Sequence, residues 1–153
     1  MLINLVLGCA TVLISLSIQI VAVVWMIRYL LKRLNEAGPN TPGFGVETYV
    51  ISVVMLIMFA GHLLQIGIWA ALFIYLGEFN DFLTAFYHSA VNFASLGYGD
   101  IIMSEKWRLL GALEASNGVL MFGLSAGTLL AVMTRIFSRH QPADPFFKNK
   151  TDD

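Results

Sequence analysis

Three long apolar stretches decide what this chain can become. The first runs from about Leu2 to Leu31, with Ser15, Ser17 and Gln19 as polar interruptions before Arg28. The second, from about Glu47 to Leu76, carries no charge beyond its first residue, although His62 and Gln65 lie inside it. The third, from about Trp107 to Phe137, holds Glu114 in its first half and reaches Arg135 near its end. A helix needs about 20 mainly apolar residues to cross a bilayer and must satisfy its backbone groups within the segment. Each stretch meets that length, so the sequence predicts an all-α membrane protein with three transmembrane helices. A cleaved leader fits the first stretch poorly, because no basic residues precede it and its apolar run extends well past a leader's apolar core. With 58% hydrophobic and 12% charged residues, the chain is also too apolar to be an ordinary soluble enzyme domain.

The connections set the expected topology. Between the first two stretches, Gly38, Pro39, Pro42, Gly43 and Gly45 cannot continue a helix, so residues 34–46 are predicted to form a loop. The formal net charge of −1 conceals an uneven placement. Arg28, Lys32 and Arg33 follow the first stretch, and Arg135, Arg139, Lys148 and Lys150 follow or end the last. Three crossings bring both basic clusters to one side, which the positive-inside rule makes cytoplasmic. The N-terminus is then expected outside, and residues 138–153 form a short cytoplasmic tail. Short loops suggest a bacterial inner membrane. No segment carries the repeated arginines of a voltage sensor, so gating of that kind would need an unidentified regulatory subunit. Cys9 is the only cysteine, which rules out an intrachain disulfide and gives no support to redox or zinc chemistry. No nucleophile lies beside a base and no ligand cluster has metal spacing. Neither an enzyme, a cofactor nor a nucleic-acid partner is expected.

The segment from Asn80 to Ile102 faces the outside between the second and third crossings. Asn80 or Asp81 can cap a short helix, and Phe82 to Ala94 reads as such a helix. It is too short to span. A short helix followed by a glycine-containing extended strand suits a re-entrant segment, tolerated at membrane depth where protein buries it or where it lines a watery path. An ion stripped of water needs rings of oxygens, which backbone carbonyls supply when several chains surround an axis. Ordinary L-residues cannot all turn their carbonyls one way, whereas Gly97 and Gly99 adopt positive φ at low cost. Tyr98 between them is expected to point its ring away from the axis as a spacer. The sequence thus divides into an N-terminal helix (1–33), an outer helix (47–77), a pore helix (80–94), a filter (95–100) and an inner helix (107–137).

The run Ala85-Phe86-Tyr87-His88-Ser89-Ala90-Val91-Asn92-Phe93-Ala94-Ser95-Leu96-Gly97-Tyr98-Gly99-Asp100 resembles the pore helix and filter of the potassium-channel family. The resemblance extends roughly from Glu47 to Phe137. It implies K+ sites made by the Ser95 hydroxyl and the carbonyls of Ser95, Leu96, Gly97 and Tyr98, with Gly99 at the outer mouth and Asp100 just behind it. One such loop supplies a quarter of a filter, so the family implies a homotetramer in the lipid bilayer that conducts K+ passively. The sequence departs from the family at Ser95 and Ala94, usually threonines, and at Leu96, usually valine or isoleucine. Serine keeps the hydroxyl but lacks the methyl, and leucine lacks the β-branch that restricts χ1. Two alternatives follow: a weakly selective cation channel, or a non-conducting membrane scaffold or accessory subunit.

The resemblance also places His88 where the family often carries a tryptophan that holds the aspartate after the filter. His88 is therefore expected either to donate to Asp100, tying the current to external pH, or to pack as a neutral aromatic. Ionisable residues inside spans are costly and are candidates for function. Glu114, with Asn117 on the same face at i+3, is expected to bond the back of the pore helix or His62 or Gln65, or else to serve gating or ion attraction. By its distance from the filter Gly118 matches the family's hinge glycine, with helix packing as the alternative. Gly123 and Gly127 form a small-residue step suited to close helix approach. Ser125, Thr128 and Thr134 are candidates to wet a cavity wall, and the N-terminal helix is expected on the periphery.

Overall fold

The computed structural model describes residues 1–36 and 44–137, which form helices and loops without a strand. Four helices follow in order: α1 (Leu2–Glu36), α2 (Phe44–Tyr75), α3 (Phe82–Phe93) and α4 (Arg108–Phe137). The three long ones are apolar over spanning lengths, at Leu2–Leu30, Gly45–Tyr75 and Arg108–Ile136. α1 and α2 each run further into the expected 34–46 loop than the sequence suggests, to Glu36 and from Phe44. The rest of that loop lies outside the described residues, as does the 138–153 tail with Arg139, Lys148 and Lys150.

Local chemistry places the short helix. α2 ends in a paired closure, with the Gly77 N–H bonded to the Ile74 carbonyl at 2.9 Å and the Glu78 N–H to the Phe73 carbonyl at 3.0 Å. Of the two candidate caps, Asp81 is the one used: its Oδ1 accepts from the Thr84 N–H at 2.8 Å. Glu78 then accepts from both the backbone N–H (2.8 Å) and the hydroxyl (2.5 Å) of Ser104. That clamp joins the α2–α3 turn to the loop leading into α4, so the segment between α3 and α4 is held at both ends.

Two apolar clusters support the arrangement. One surrounds α3 and contains Ile66, Trp69, Phe73, Phe93, Met103, Trp107, Leu110 and Met121. The other joins α1, α2 and α4 through Met26, Leu30, Val50, Val54, Met58, Val132 and Ile136. α1 and α4 run in the same direction, since Asn4 reaches the Lys106 carbonyl at 2.6 Å while Leu30 and Arg135 share a groove at the other end. The basic ends of α1 and α4 therefore lie together, as the topology required.

α1 lies against α2 and α4 and leaves most of its surface exposed, yet the face it buries is specific. Its buried face carries Asn4, Thr11, Ser15 and Gln19, then Met26 and Leu30, so the outward half is polar and the basic half apolar. Gln19 accepts from Gln65 Nε2 at 2.8 Å and donates to Ser125 Oγ at 2.9 Å. His62 Nε2 lies 3.0 Å from the same hydroxyl. The physical reason is that lipid tails are as apolar as leucine, so polar contacts and close packing, rather than burial, hold helices together in a bilayer. Ser125 is therefore used in joining helices. Thr128 bonds back to the Leu124 carbonyl at 2.8 Å, and Thr134 to that of Leu130.

Candidate ion-conduction site

The expected filter begins as the termination of α3. The Leu96 N–H bonds the Val91 carbonyl at 2.9 Å and the Ser95 N–H bonds the Asn92 carbonyl at 2.8 Å. With Ala94 as C-cap, this pair is a Schellman closure that puts Ser95 in the left-handed position, at φ 56°. Gly77 fills the same position after α2, with φ 77°. A serine there is uncommon, because the left-handed region costs an L-residue about 1–2 kcal/mol. Positive φ then recurs at Gly97 (61°) and Gly99 (73°), whereas no other non-glycine among the described residues has it. The backbone thus alternates hand residue by residue from Ser95 to Gly99. The C-terminal end of α3, the negative pole of its peptide dipoles, sits at the start of this strand.

Within one chain the strand is uncovered: Leu96 is 54% and Tyr98 65% exposed. The Tyr98 ring is therefore mostly open among the described residues. On one side lies a groove of about 320 Å3 whose walls include His88, Asn92, Gly97, Gly99, Met103 and Gly111.

Of the two expectations for His88, packing among aromatics is the one seen, and Asp100 is held by Tyr87 instead. Tyr87 donates its hydroxyl to Asp100 Oδ2 at 2.7 Å. That bond holds the Asp100 carboxyl below its usual range and, reciprocally, raises the Tyr87 hydroxyl. His88 is instead buried between Phe73 and Phe79, with ring centroids 5.7 and 5.0 Å away. Its Nε2 faces Asn92 Nδ2 at 2.9 Å, and burial pushes its pKa down despite a backbone bond to Ile101. Neighbouring residues on a helix point about 100° apart, so the packing that buries His88 turns Tyr87 toward Asp100.

Glu114 meets the pore helix, the first of its expected partners. It is fully buried and contacts Ser89 through Oε1 and Asn92 through Oε2, the latter at 3.4 Å. Asn117, at i+3, is also fully buried, and neither of its amide atoms has a partner among the described residues. Gly118 lets α4 touch the end of α3: a Cβ there would stand 1.9 Å from the Phe93 carbonyl oxygen. Packing accounts for this glycine. A Cβ at Gly123 or Gly127 would meet nothing within 4 Å among the described residues, and both glycines line a groove shared with Met26 and Leu30 of α1.

A family model described as Ion channel matches residues 53–135, more than half of the chain and all of the site just described. The chain belongs to the two-transmembrane ion-channel pore family. That family includes potassium-channel pore domains. No curated protein and no solved structure matches the chain. As an ion channel the protein is an integral membrane protein, and its matched region begins inside α2 and ends near the close of α4.

The channel's sequence concealed several residues that matter to the site. Tyr87 reads as one aromatic among several, and only the rotation of α3 reveals its bond to Asp100. Ser95 reads as a hydroxyl donor to the ion path, whereas its backbone also starts the alternation. Glu78 and Ser104 lie 26 positions apart, with no shared pattern to link them. The polar face of α1 was accessible in principle, because Asn4, Thr11, Ser15 and Gln19 recur at intervals close to helical spacing.

Proposed function

We propose that the chain is one subunit of a homotetrameric, potassium-selective pore that conducts K+ passively through the backbone of residues 95–99. The observation that carries this reading is the alternation of positive φ at Ser95, Gly97 and Gly99. Alternating hand flips successive peptide planes, which brings consecutive carbonyls to the same side of the strand, where they replace an ion's hydration shell. One strand supplies oxygens from one direction only, and the exposure of Leu96 and Tyr98 leaves room for neighbouring copies. Four strands around an axis complete each ring, with the Ser95 hydroxyl adding the innermost ligands. Asp100, fixed by Tyr87, supports the outer mouth. The basic ends of α1 and α4 face the cytoplasm of a bacterial inner membrane, and the strand faces outward.

Selectivity is the finer part of the reading. Leu96 lacks the β-branch that would stiffen its rotamer, and a looser strand would hold the rings less well for K+ over Na+. Reversal potentials of the reconstituted protein under a potassium-to-sodium gradient decide the matter. A potential that follows the potassium gradient is expected. A value near zero would indicate the weakly selective pore, and absence of current the non-conducting scaffold.

A further inference from the structure

Behind the pore helix, two hydrogen-bond acceptors compete for one proton. Ser89 Oγ lies 2.9 Å from the Ile66 carbonyl oxygen and also contacts Glu114 Oε1. A serine hydroxyl has a single proton and a carbonyl has none to give. If Ser89 gave its proton to Glu114, two bare oxygens would face each other at the Ile66 contact. If Ser89 gives it to Ile66, the serine oxygen must accept from Glu114, and only a carboxylic acid can donate. We propose that Glu114 is a protonated, hydrogen-bond-donating strut that positions the pore helix, and with it the filter, against α4. The positioning role rests on the conduction reading above, whereas the protonation stands on the contacts alone.

The remaining contacts close the series without a conflict. Asn92 Nδ2 faces Glu114 Oε2 at 3.4 Å and His88 Nε2 at 2.9 Å. An amide nitrogen only donates, so both of these atoms accept, and His88 is the neutral tautomer whose other N–H serves the Ile101 backbone. From Ile101 through His88, Asn92, Glu114 and Ser89 to Ile66, every proton is used once and no net charge arises. Glu114 has no exposed surface, and its partners, a hydroxyl and an amide, are not cations. An ionised carboxylate in such a place would be unpaired and costly.

Two glycines flank the strut on the same face of α4. Gly111 and Gly118 stand at i−3 and i+4 from Glu114. A Cβ would come within 3.1 Å of Asn92 Nδ2 at Gly111 and 1.9 Å of the Phe93 oxygen at Gly118. α4 therefore meets α3 nearly backbone to backbone, with one acid between the glycines to set the height of the helix. Phe93 immediately precedes the Ala94 cap and the left-handed Ser95. A shift of α3 along α4 is passed directly to the first residue of the filter.

Infrared difference spectra of wild type and Glu114→Gln, in bilayers at neutral pH, test the proton whether or not the protein conducts. A carboxylic-acid C=O band present only in wild type is expected, and carboxylate bands in its place would overturn the assignment. Flux and reversal potential test the positioning. Glu114→Gln offers a donor to Ser89 and an acceptor to Asn92, so it should keep wild-type flux, selectivity and pH profile. Glu114→Ala leaves both partners unsatisfied in a buried site and should lose selective flux by about tenfold or more, with the assembly still intact on chromatography. Wild-type behaviour in Glu114→Ala, or a loss in Glu114→Gln equal to that in Glu114→Ala, would overturn the role. A wild type that passes no potassium would refute the conduction reading and with it the positioning role, while the infrared band still decides the proton.

Discussion

Ser95 carries a backbone cost that its side chain must justify. The left-handed conformation costs a serine about 1–2 kcal/mol, and glycine would avoid that while adding about 0.5–1 kcal/mol of chain entropy to lose on folding. Ser95→Gly should therefore raise stability slightly, by about 0–1.5 kcal/mol, measurable as a higher Tm. It should also lower the potassium-to-sodium permeability ratio, since the hydroxyl is lost. His88 and Asp100 both lose their stabilising contribution as the pH falls, but in different windows. Burial lowers the His88 pKa from the usual 6.5, with Asp100 and Glu78 as the charged groups acting on it. The unfolded chain then binds a proton more readily than the folded one, so stability is full above about 6.5 and falls as the pH drops below it. Thermal unfolding across pH should show a smaller loss in His88→Phe than in wild type. Asp100, whose pKa lies below the usual 3.8, contributes stability above that value that is lost only in stronger acid. The two windows do not overlap, so a loss near neutrality does not come from Asp100, and the part of it that His88→Phe removes belongs to His88.

At the scale of elements, the three spans and the cap of α3 were legible because hydropathy and capping are local properties. The rotation of α3 was not, since whether Tyr87 or His88 meets Asp100 depends on which side chains Phe73 and Phe79 enclose. Nor were the partners of the polar residues of α1, because polar residues in a span reveal a partner only when the facing helix is known. Two substitutions test these contacts. At Gly118 the helix-propensity gain of alanine, about 1 kcal/mol, competes with a Cβ set 1.9 Å from backbone oxygen. Overpacking of that kind costs about 1–3 kcal/mol or more, so Gly118→Ala should lower the Tm and disturb conduction. Gln19→Leu removes the bridge from Gln65 to Ser125. Polar contacts between membrane helices average about 0.6 kcal/mol each, so a loss of about 1–2 kcal/mol is expected once the unpaired groups are included. The measurement is unfolding in detergent, and an unchanged Tm would mean that packing alone seats α1.

For the whole molecule, the family and the membrane architecture follow from the match over residues 53–135 and from three helices of spanning length. Ion passage through the alternating strand rests on the proposed assembly, in which neighbouring copies complete the rings. Gly99 isolates that step. A Cβ there would meet nothing within 4 Å, but φ is +73°, so alanine is opposed by its own backbone by about 1–2 kcal/mol. The decisive measurement is potassium flux into liposomes holding the purified protein, wild type against Gly99→Ala at equal protein content. Flux in wild type that Gly99→Ala abolishes is the expected result. No flux in wild type, or equal flux in both, would contradict a path lined by this backbone.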